Sequence, residues 1–472
     1  MPIKVALPKG RLLGDTATLL KEAGWGLTGY HEKTRLYRLE SDAFTKLTAK
    51  VFHEKDVPVQ VAIGNYDLGI CGLDWVEELM AKYPSSALVR VKDLKYGAGI
   101  LYLVGSESGG TTSLEKLKTR PETVRIASEY PNLAEALALN LRLRQFNIYP
   151  LWGAAEGYPP DTADLVLIPG ETSGQKFGHD LVIIREVLAF RAFLIANKHS
   201  WETRDMSGIL DSLDAVLPLI NEHPLPLRID KPAAAGYLKS KEISEDAVRL
   251  ALPDGHQQEP TVQLLNKAGL QIDDYPSTCG NRRPVIHLDG VSVKVIRPQD
   301  MPLQVANGNF DLALTGKDWV REHRYQFPSS PLAELLDLGF GRVKIVAVVV
   351  NDLPISDTDG LRQLWAKRPE ALRIASEYTN IADKYARDNH LGRYRIVPTW
   401  GATEAFLPED ADLLIENTQT GRTLAKHNLK IIDTILHSSA CLIGNSRVTP
   451  SPIKQKRIES IVAALRTAVK EV

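Results

Sequence analysis

Short apolar and β-branched runs, Lys4–Leu7, Asp67–Ile70, Gly99–Val104, Val124–Ala127 and Leu165–Ile168, are separated by stretches with apolar residues at helical spacing, among them Asp15–Ala23 and Leu133–Leu143. Strand-length runs alternating with amphipathic helices predict an α/β fold. The alternation breaks at Ser106–Thr112 (S-E-S-G-G-T-T) and again at Asn351–Gly360, which predicts two lobes with a cleft between them in each half of the chain. Asp205–Asn221 and Ser451–Val472 read as helices closing the two halves, so no separate regulatory domain is expected after the second.

The pattern repeats after about 245 to 248 residues, too long a period for a solenoid and right for a duplicated domain. A-L-P-K-G at Ala6–Gly10 returns as A-L-P-D-G at Ala251–Gly255, and G-N-Y-D-L-G-I-C-G-L-D-W at Gly64–Trp75 returns as G-N-F-D-L-A-L-T-G-K-D-W at Gly308–Trp319. R-I-A-S-E-Y stands at both Arg125–Tyr130 and Arg373–Tyr378, W-G-A at Trp152–Ala154 and Trp400–Ala402, and L-I-A-N at Leu194–Asn197 becomes L-I-G-N at Leu442–Asn445. The order of these matches places one copy at 1–222, a proline-rich connector at 223–243 and a second copy at 244–472. Trp75, Trp152, Trp319 and Trp400 sit in apolar surroundings and are read as core.

Charge excludes one class of partner. With 57 basic and 58 acidic residues the net charge is −1, and no basic block interleaved with aromatics is present, so nucleic acid is not expected to bind. No apolar run is long enough to span a bilayer, and the chain opens on M-P-I-K-V-A-L-P, not on a signal peptide, which predicts a cytoplasmic protein with no membrane partner. Cys71, Cys279 and Cys441 are far apart and form no C-x-x-C, which suits packing residues in a reducing compartment.

The stretch with most chemistry is Asp410–Asp433, D-A-D-L-L-I-E-N-T-Q-T-G-R-T-L-A-K-H-N-L-K-I-I-D. It predicts a buried strand over Asp412–Ile415, a loop over Glu416–Thr423 and a helical turn starting near Leu424, an arrangement whose backbone N–H groups converge where a phosphate can sit. Thr418, Thr420 and Thr423 add hydroxyls, Gly421 allows close approach, Arg422 supplies a cation, and Glu416 is placed to accept hydrogen bonds from sugar hydroxyls. Neither a P-loop nor a G-x-G-x-x-G between strand and helix is present, which disfavours a P-loop ATPase and a Rossmann dehydrogenase.

Taken together, A-L-P-K-G-R at Ala6–Arg11, G-x-x-D-L-G-I-x-G-x-D at Gly64–Asp74, R-P-x-D at Arg297–Asp300, L-D-L-G-F-G at Leu336–Gly341, the paired R-I-A-S-E-Y and the loop resemble the short form of ATP phosphoribosyltransferase, in both halves. The resemblance implies two tandem bilobed α/β domains similar to type II periplasmic binding proteins, transfer of phosphoribosyl from phosphoribosyl pyrophosphate to ATP, and a magnesium requirement. It leaves room for a separate regulatory subunit and for a homo-oligomer. A non-catalytic binding module of the same fold, or transfer to another base, are the alternatives.

The halves depart from the family pattern in opposite ways. In the first copy the loop reads Ile168-Pro169-Gly170-Glu171-Thr172-Ser173-Gly174-Gln175-Lys176, which removes the Glu416 acceptor and several donors, and His53 stands where the second copy has Arg297. In the second copy Asp254 and His256 replace Lys9 and Arg11. A carboxylate about 4 Å from a phosphate would oppose binding by roughly 4 kcal/mol at a surface-like dielectric. One composite site per chain is therefore expected, with Glu416, Thr418, Thr420, Gly421, Arg422, Thr423 and Leu424 on the phosphoribosyl group. Arg297, Lys9, Arg11 and Arg35 are the expected catalytic cations, and Asp311, Asp318 and Glu377 the nucleotide-binding residues.

Overall fold

The apolar run I-K-V-A-L-P-K forms the strand Ile3–Lys9 with buried central residues, and the helix Leu13–Glu22 that follows lays Leu13, Thr16, Leu19 and Leu20 inward. The same strand-then-helix beginning recurs in the second copy as Val248–Pro253 and Gln258–Lys267. The computed structural model describes residues 2–32, 36–110, 113–114, 117, 120–170, 177, 181–217, 246–277, 280–401, 403–447 and 449–470. The predicted connector 223–243 lies outside them, as do Arg35, Cys279 and most of the first copy's loop, Glu171–Lys176.

The chain forms two compact units, and neither is one uninterrupted copy. The first unit combines Met1–Pro150 and the stretch beginning at Leu165 with Thr399–Ala405, seven residues of the second copy's sequence. The second contains Leu151–Asp164 from the first copy together with Phe406–Val472 and the residues up to Pro398. Each unit thus takes in a short segment following a lobe-two strand of the other copy, which the sequence boundaries did not predict.

In the first unit a six-stranded sheet runs in the order Arg38–Glu40, Leu47–His53, Ile3–Lys9, Leu68–Gly72, Ala192–Asn197, Leu88–Asp93. A five-stranded sheet runs Leu181–Phe190, Gly99–Ser106, Leu165–Gly170, Val124–Ser128, Phe146–Pro150. The second unit repeats the plan, with Val291–Ile296, Val248–Pro253, Leu312–Gly316, Ala440–Asn445 and Leu332–Asp337 in one sheet. Its other five-stranded sheet is Tyr394–Pro398, Leu372–Ser376, Leu413–Thr418, Val343–Val350 and Leu429–Ser438, and a small ribbon pairs Ile272–Asp273 with Val285–Ile286. Each large sheet has its own apolar cluster, so each unit is bilobed, as the alternation predicts.

The crossings between lobes lie elsewhere than expected. Ser106 ends the strand Gly99–Ser106, and Asn351 directly follows Val343–Val350 and leads to the helix Thr358–Trp365, so the described parts of both small-residue stretches lie within the second lobes. The chain changes lobe instead through Leu94–Gly97 and Arg191 in the first copy, and through Leu338–Gly341 and Ser439 in the second. Positive φ values at Lys95 and Gly97, and at Gly339 and Gly341, bend these short crossings. Composition marked the loops because turns and exposed loops favour the same residues, whereas a crossing needs only one or two left-handed positions.

In the first sheet of each unit, two strands run parallel to the first one, so their C-terminal ends gather at one edge: Lys9, His53 and Gly72 in the first unit, Pro253, Ile296 and Gly316 in the second. Among the described residues no helix is long and apolar enough to cross a membrane.

Candidate functional site

In the second unit, Asp254, Arg297 and Asp318 all follow the C-terminal ends of parallel strands. Strand ends in an α/β sheet open onto the crevice where ligands collect, because the backbone there leaves the ladder and side chains from several strands converge. Asp318, in the first turn of the helix Lys317–Gln326, is buried and accepts hydrogen bonds from Tyr378 Oη (2.7 Å) and Ser438 Oγ (2.7 Å). Asn417 Nδ2 in turn donates to Tyr378 Oη at 3.2 Å, which ties this corner to the strand that leads into the loop. Trp319 stacks on Tyr378 at 4.4 Å, and Trp152 packs against Trp319 at 5.7 Å. Trp152 and Trp319 are packing residues, as expected, and Trp319 connects the two lobes of this unit.

The loop is shorter than the sequence predicts. The strand Leu413–Thr418 continues through Glu416 and Thr418, because Val343–Val350 pairs with it as far as Lys344 opposite Thr418. Gln419 and Thr420 lead to Gly421, whose φ of 71° only glycine adopts without strain, and a short helix begins at Arg422. Thr418 Oγ1 accepts the Gly421 N–H at 2.9 Å, which shapes the turn and leaves the hydroxyl proton to donate elsewhere. Thr420, Arg422 and Thr423 are exposed, and Arg422 forms no ion pair among the described residues. Glu416 is half-buried and accepts the Asn417 N–H. The Leu424 side chain is buried, so only its backbone can face a ligand.

Arg297 stands half-exposed after the strand Val291–Ile296, its Nη1 3.5 Å from Asp254 Oδ2. The opposing carboxylate foreseen at Asp254 is present, and it is neutralised: Arg282 Nη1 donates to the same oxygen at 2.7 Å, and the Gly255 N–H donates to Oδ1. Burial alone would raise this carboxyl, but Arg282, with help from Arg297 and Gly255, holds it below the usual carboxylate range. Arg282 also donates from Nε to Glu156 Oε1 at 2.9 Å. Neither Arg282 nor Glu156 was among the expected site residues. The recurrence W-G-A-A-E at Trp152–Glu156 and W-G-A-T-E at Trp400–Glu404 could have flagged the acid, while nothing local marks the arginine.

The first unit commits its cations differently. Arg11 donates to both Glu54 oxygens (3.2 Å or less) and to both Asp74 oxygens (2.7 and 2.8 Å), and its guanidinium lies over the Phe190 ring. Tyr130 Oη donates to Asp74 from the second lobe. Burial pushes the Glu54 carboxyl up despite Arg11 beside it. Lys55 pairs with Glu129 at 2.6 Å and lies over Trp75. Lys9 is exposed at its strand end, its ammonium 5.4 Å from the Tyr37 ring, and Tyr37 Oη donates to Glu404 at 3.2 Å. His53, in the place of Arg297, is depressed to about 4 by burial and by Lys55 and Lys9.

One expectation needs correction. Asp311 precedes the strand Leu312–Gly316 and so lies at the opposite end of the sheet, where it accepts the Arg249 N–H (2.8 Å) and pairs with Lys454 (2.8 Å). Its sequence distance from Asp318 is one strand length, which carries it away from the crevice. Glu377 is half-buried beside Tyr378. Arg35 is outside the described residues. Among the described residues, no group of three or more His, Cys, Asp or Glu side chains is arranged to hold a metal ion, so they do not fit a dedicated magnesium cage.

A family model described as ATP phosphoribosyltransferase matches residues 53–216 and 297–467. An ATP phosphoribosyltransferase of Chlorobaculum parvum is 32% identical over 231 residues, covering 48% of this chain and 73% of that protein. One from Pelodictyon phaeoclathratiforme is 34% identical over 223 residues, covering 47% and 71%. Among solved structures, the ATP phosphoribosyl transferase (HisG:HisZ) complex from Thermotoga maritima aligns at a TM-score of 0.39 and 21% identity, over 48% of this chain and 98% of that one.

Proposed function

Because the chain belongs to the ATP phosphoribosyltransferase family, we propose that it transfers phosphoribosyl from phosphoribosyl pyrophosphate to N1 of ATP, the first step of histidine biosynthesis, at one site per chain, in the second unit. The observation that carries the single site is the contrast in cation use. In the second unit Arg422 is exposed at the start of the helix after the hydroxyl-bearing loop and Arg297 is half-exposed with only a 3.5 Å contact to Asp254, whereas Arg11 and Lys55 of the first are held by carboxylates at 2.6–2.8 Å.

In the reaction a bond forms between N1 of adenine and C1 of the ribose as the C1–O bond breaks, its electron pair leaving with pyrophosphate, and the adenine amino group releases a proton. No covalent nucleophile is required. The protein's work is to align the substrates and stabilise the charge that leaves. Thr418, Thr420, Thr423 and the backbone around Gly421 suit the sugar phosphate, Glu416 the ribose hydroxyls, and Arg297 the pyrophosphate. Magnesium belongs to this reading as an ion carried on the pyrophosphate oxygens, since that cation keeps much of its coordination to phosphates and water. A cytoplasmic location fits the buried free thiols Cys71 and Cys441. A regulatory subunit and a homo-oligomer are parts of the proposal to be sought by co-purification.

The test is to incubate the purified chain with ATP and phosphoribosyl pyrophosphate, with and without magnesium, and to follow the adduct. Formation that survives thorough chelation rejects the metal, and no adduct with any purine nucleotide rejects the transferase. Calorimetry is expected to give one phosphoribosyl pyrophosphate per chain. Two equivalent sites would end the single-site reading.

A further inference from the structure

The second unit contains Leu151–Asp164, a segment encoded in the first copy, and this segment lies along the strand that carries Arg297. The Trp152 N–H donates to both Asp300 oxygens (3.1 and 3.2 Å), and the Tyr158 hydroxyl donates to the same carboxylate. Asp300 closes the turn that begins at Arg297, its N–H bonded to the Arg297 carbonyl at 3.0 Å. Gly153 lies directly under the arginine side chain: a Cβ there would stand 3.0 Å from Arg297 Nε. Farther along, Asp161 pairs with Lys294 (2.6 Å) and Arg283 (3.3 Å), which anchors the segment to the same strand.

Between these anchors is a cluster of four charges that sums to zero, Glu156, Arg282, Asp254 and Arg297. The distances rank its contacts. Arg282 is held by carboxylates on both sides at 2.9 and 2.7 Å, while Arg297 touches Asp254 only at 3.5 Å. Without Arg282, the nearest cation to Asp254 is Arg297, and a carboxylate that recruits Arg297 withdraws it from any anion in the crevice and adds its own repulsion.

Building on the phosphoribosyl pyrophosphate site read above, we propose that Arg282 and Glu156 are positioning residues for it: Glu156, contributed by the first copy, orients Arg282 onto Asp254, and the neutralised Asp254 leaves Arg297 to the pyrophosphate. Neither residue touches the substrate in this account. The effect runs through Asp254, and that makes it separable from mere structural support.

The experiment compares Arg282→Gln, Glu156→Gln and the double variant Arg282→Gln/Asp254→Asn in the full chain, reading KM for phosphoribosyl pyrophosphate, kcat and thermal stability, with calorimetric binding alongside. Arg282→Gln is expected to raise KM about tenfold or more, the scale of a lost charge-assisted contact. Glu156→Gln should shift it less, in the same direction. Adding Asp254→Asn should return KM most of the way, because the carboxylate that captures Arg297 is gone. A double variant as impaired as Arg282→Gln, or an unchanged KM in that single variant, overturns the proposal. If Arg282→Gln does not fold, Glu156→Gln decides: it must raise KM, and an unchanged KM overturns the proposal equally. Failure of the wild-type chain to form the adduct would instead remove the transferase reading, and calorimetry would still report whether Asp254→Asn restores binding.

Discussion

The same corner in the two units puts opposite charges at the end of the leading strand. In the first unit Lys9 ends the leading strand, Tyr37 lies over it, and Glu404 accepts from Tyr37. In the second unit Asp254 stands in the place of Lys9, Arg282 follows it at a separation of 28 residues as Tyr37 follows Lys9, and Glu156 stands in the place of Glu404. The acid from the other copy is common to both, while the strand-end base Lys9 is replaced by the acid Asp254 and the neutral Tyr37 by the base Arg282. The neighbouring position shows the same divergence, since the first unit has a neutral His53 where the second has Arg297. In the first unit Arg11 is held by Glu54 and Asp74, whereas in the second Arg422 is exposed and Arg297 is half-exposed with a 3.5 Å contact to Asp254. A family likeness shared by two halves therefore does not make their sites alike.

The largest expected effect tests that asymmetry directly. Arg297→Ala should lower kcat/KM by about 10²–10³-fold if the guanidinium meets charge developing on the pyrophosphate, and Thr420→Ala or Arg422→Ala should weaken phosphoribosyl pyrophosphate binding roughly ten- to hundredfold. His53→Ala and Thr172→Ala should barely change turnover, with melting temperatures reported for all five. Comparable sensitivity in the two copies would mean two independent sites.

Next in size is a loss of stability in the first copy. Arg11→Ala leaves the buried Glu54 and Asp74 facing each other, at a cost of about 3 kcal/mol, the low end for a broken buried pair because the guanidinium is partly exposed. Denaturant unfolding measures it. An unchanged midpoint with lost turnover would instead make Arg11 a substrate-facing residue.

The smallest effect is a pH dependence. His53 titrates near 4 in the folded chain, below the ordinary value of about 6.5. Its folded pKa is depressed, so the unfolded chain binds more protons over that interval, and the stability His53 contributes is present above about 6.5 and lost as pH falls through about 4. Melting curves of His53→Gln should fall less steeply than wild type across that window, and identical slopes would place the protonation elsewhere. Its partial exposure keeps the effect modest.

The duplication, the α/β alternation and the hydroxyl-bearing loop were legible in the sequence, because each is a local pattern: a repeated motif order, a hydrophobic period, a run of small and polar residues after an apolar strand. Arg297 was legible too, as part of R-P-Q-D at the end of such a strand. The tertiary structure alone decided which end of the sheet each residue occupies, taking Asp311 to the far edge and Asp318 to the crevice. It also decided that Arg11 faces two carboxylates of its own unit, that Leu151–Asp164 belongs to the second unit, and that Arg282 neutralises Asp254. The reason is physical: periodicity and turn chemistry act over a few residues along the chain, whereas an ion pair depends on distance in space, and Arg282 meets a glutamate 126 positions away that no local pattern could place beside it.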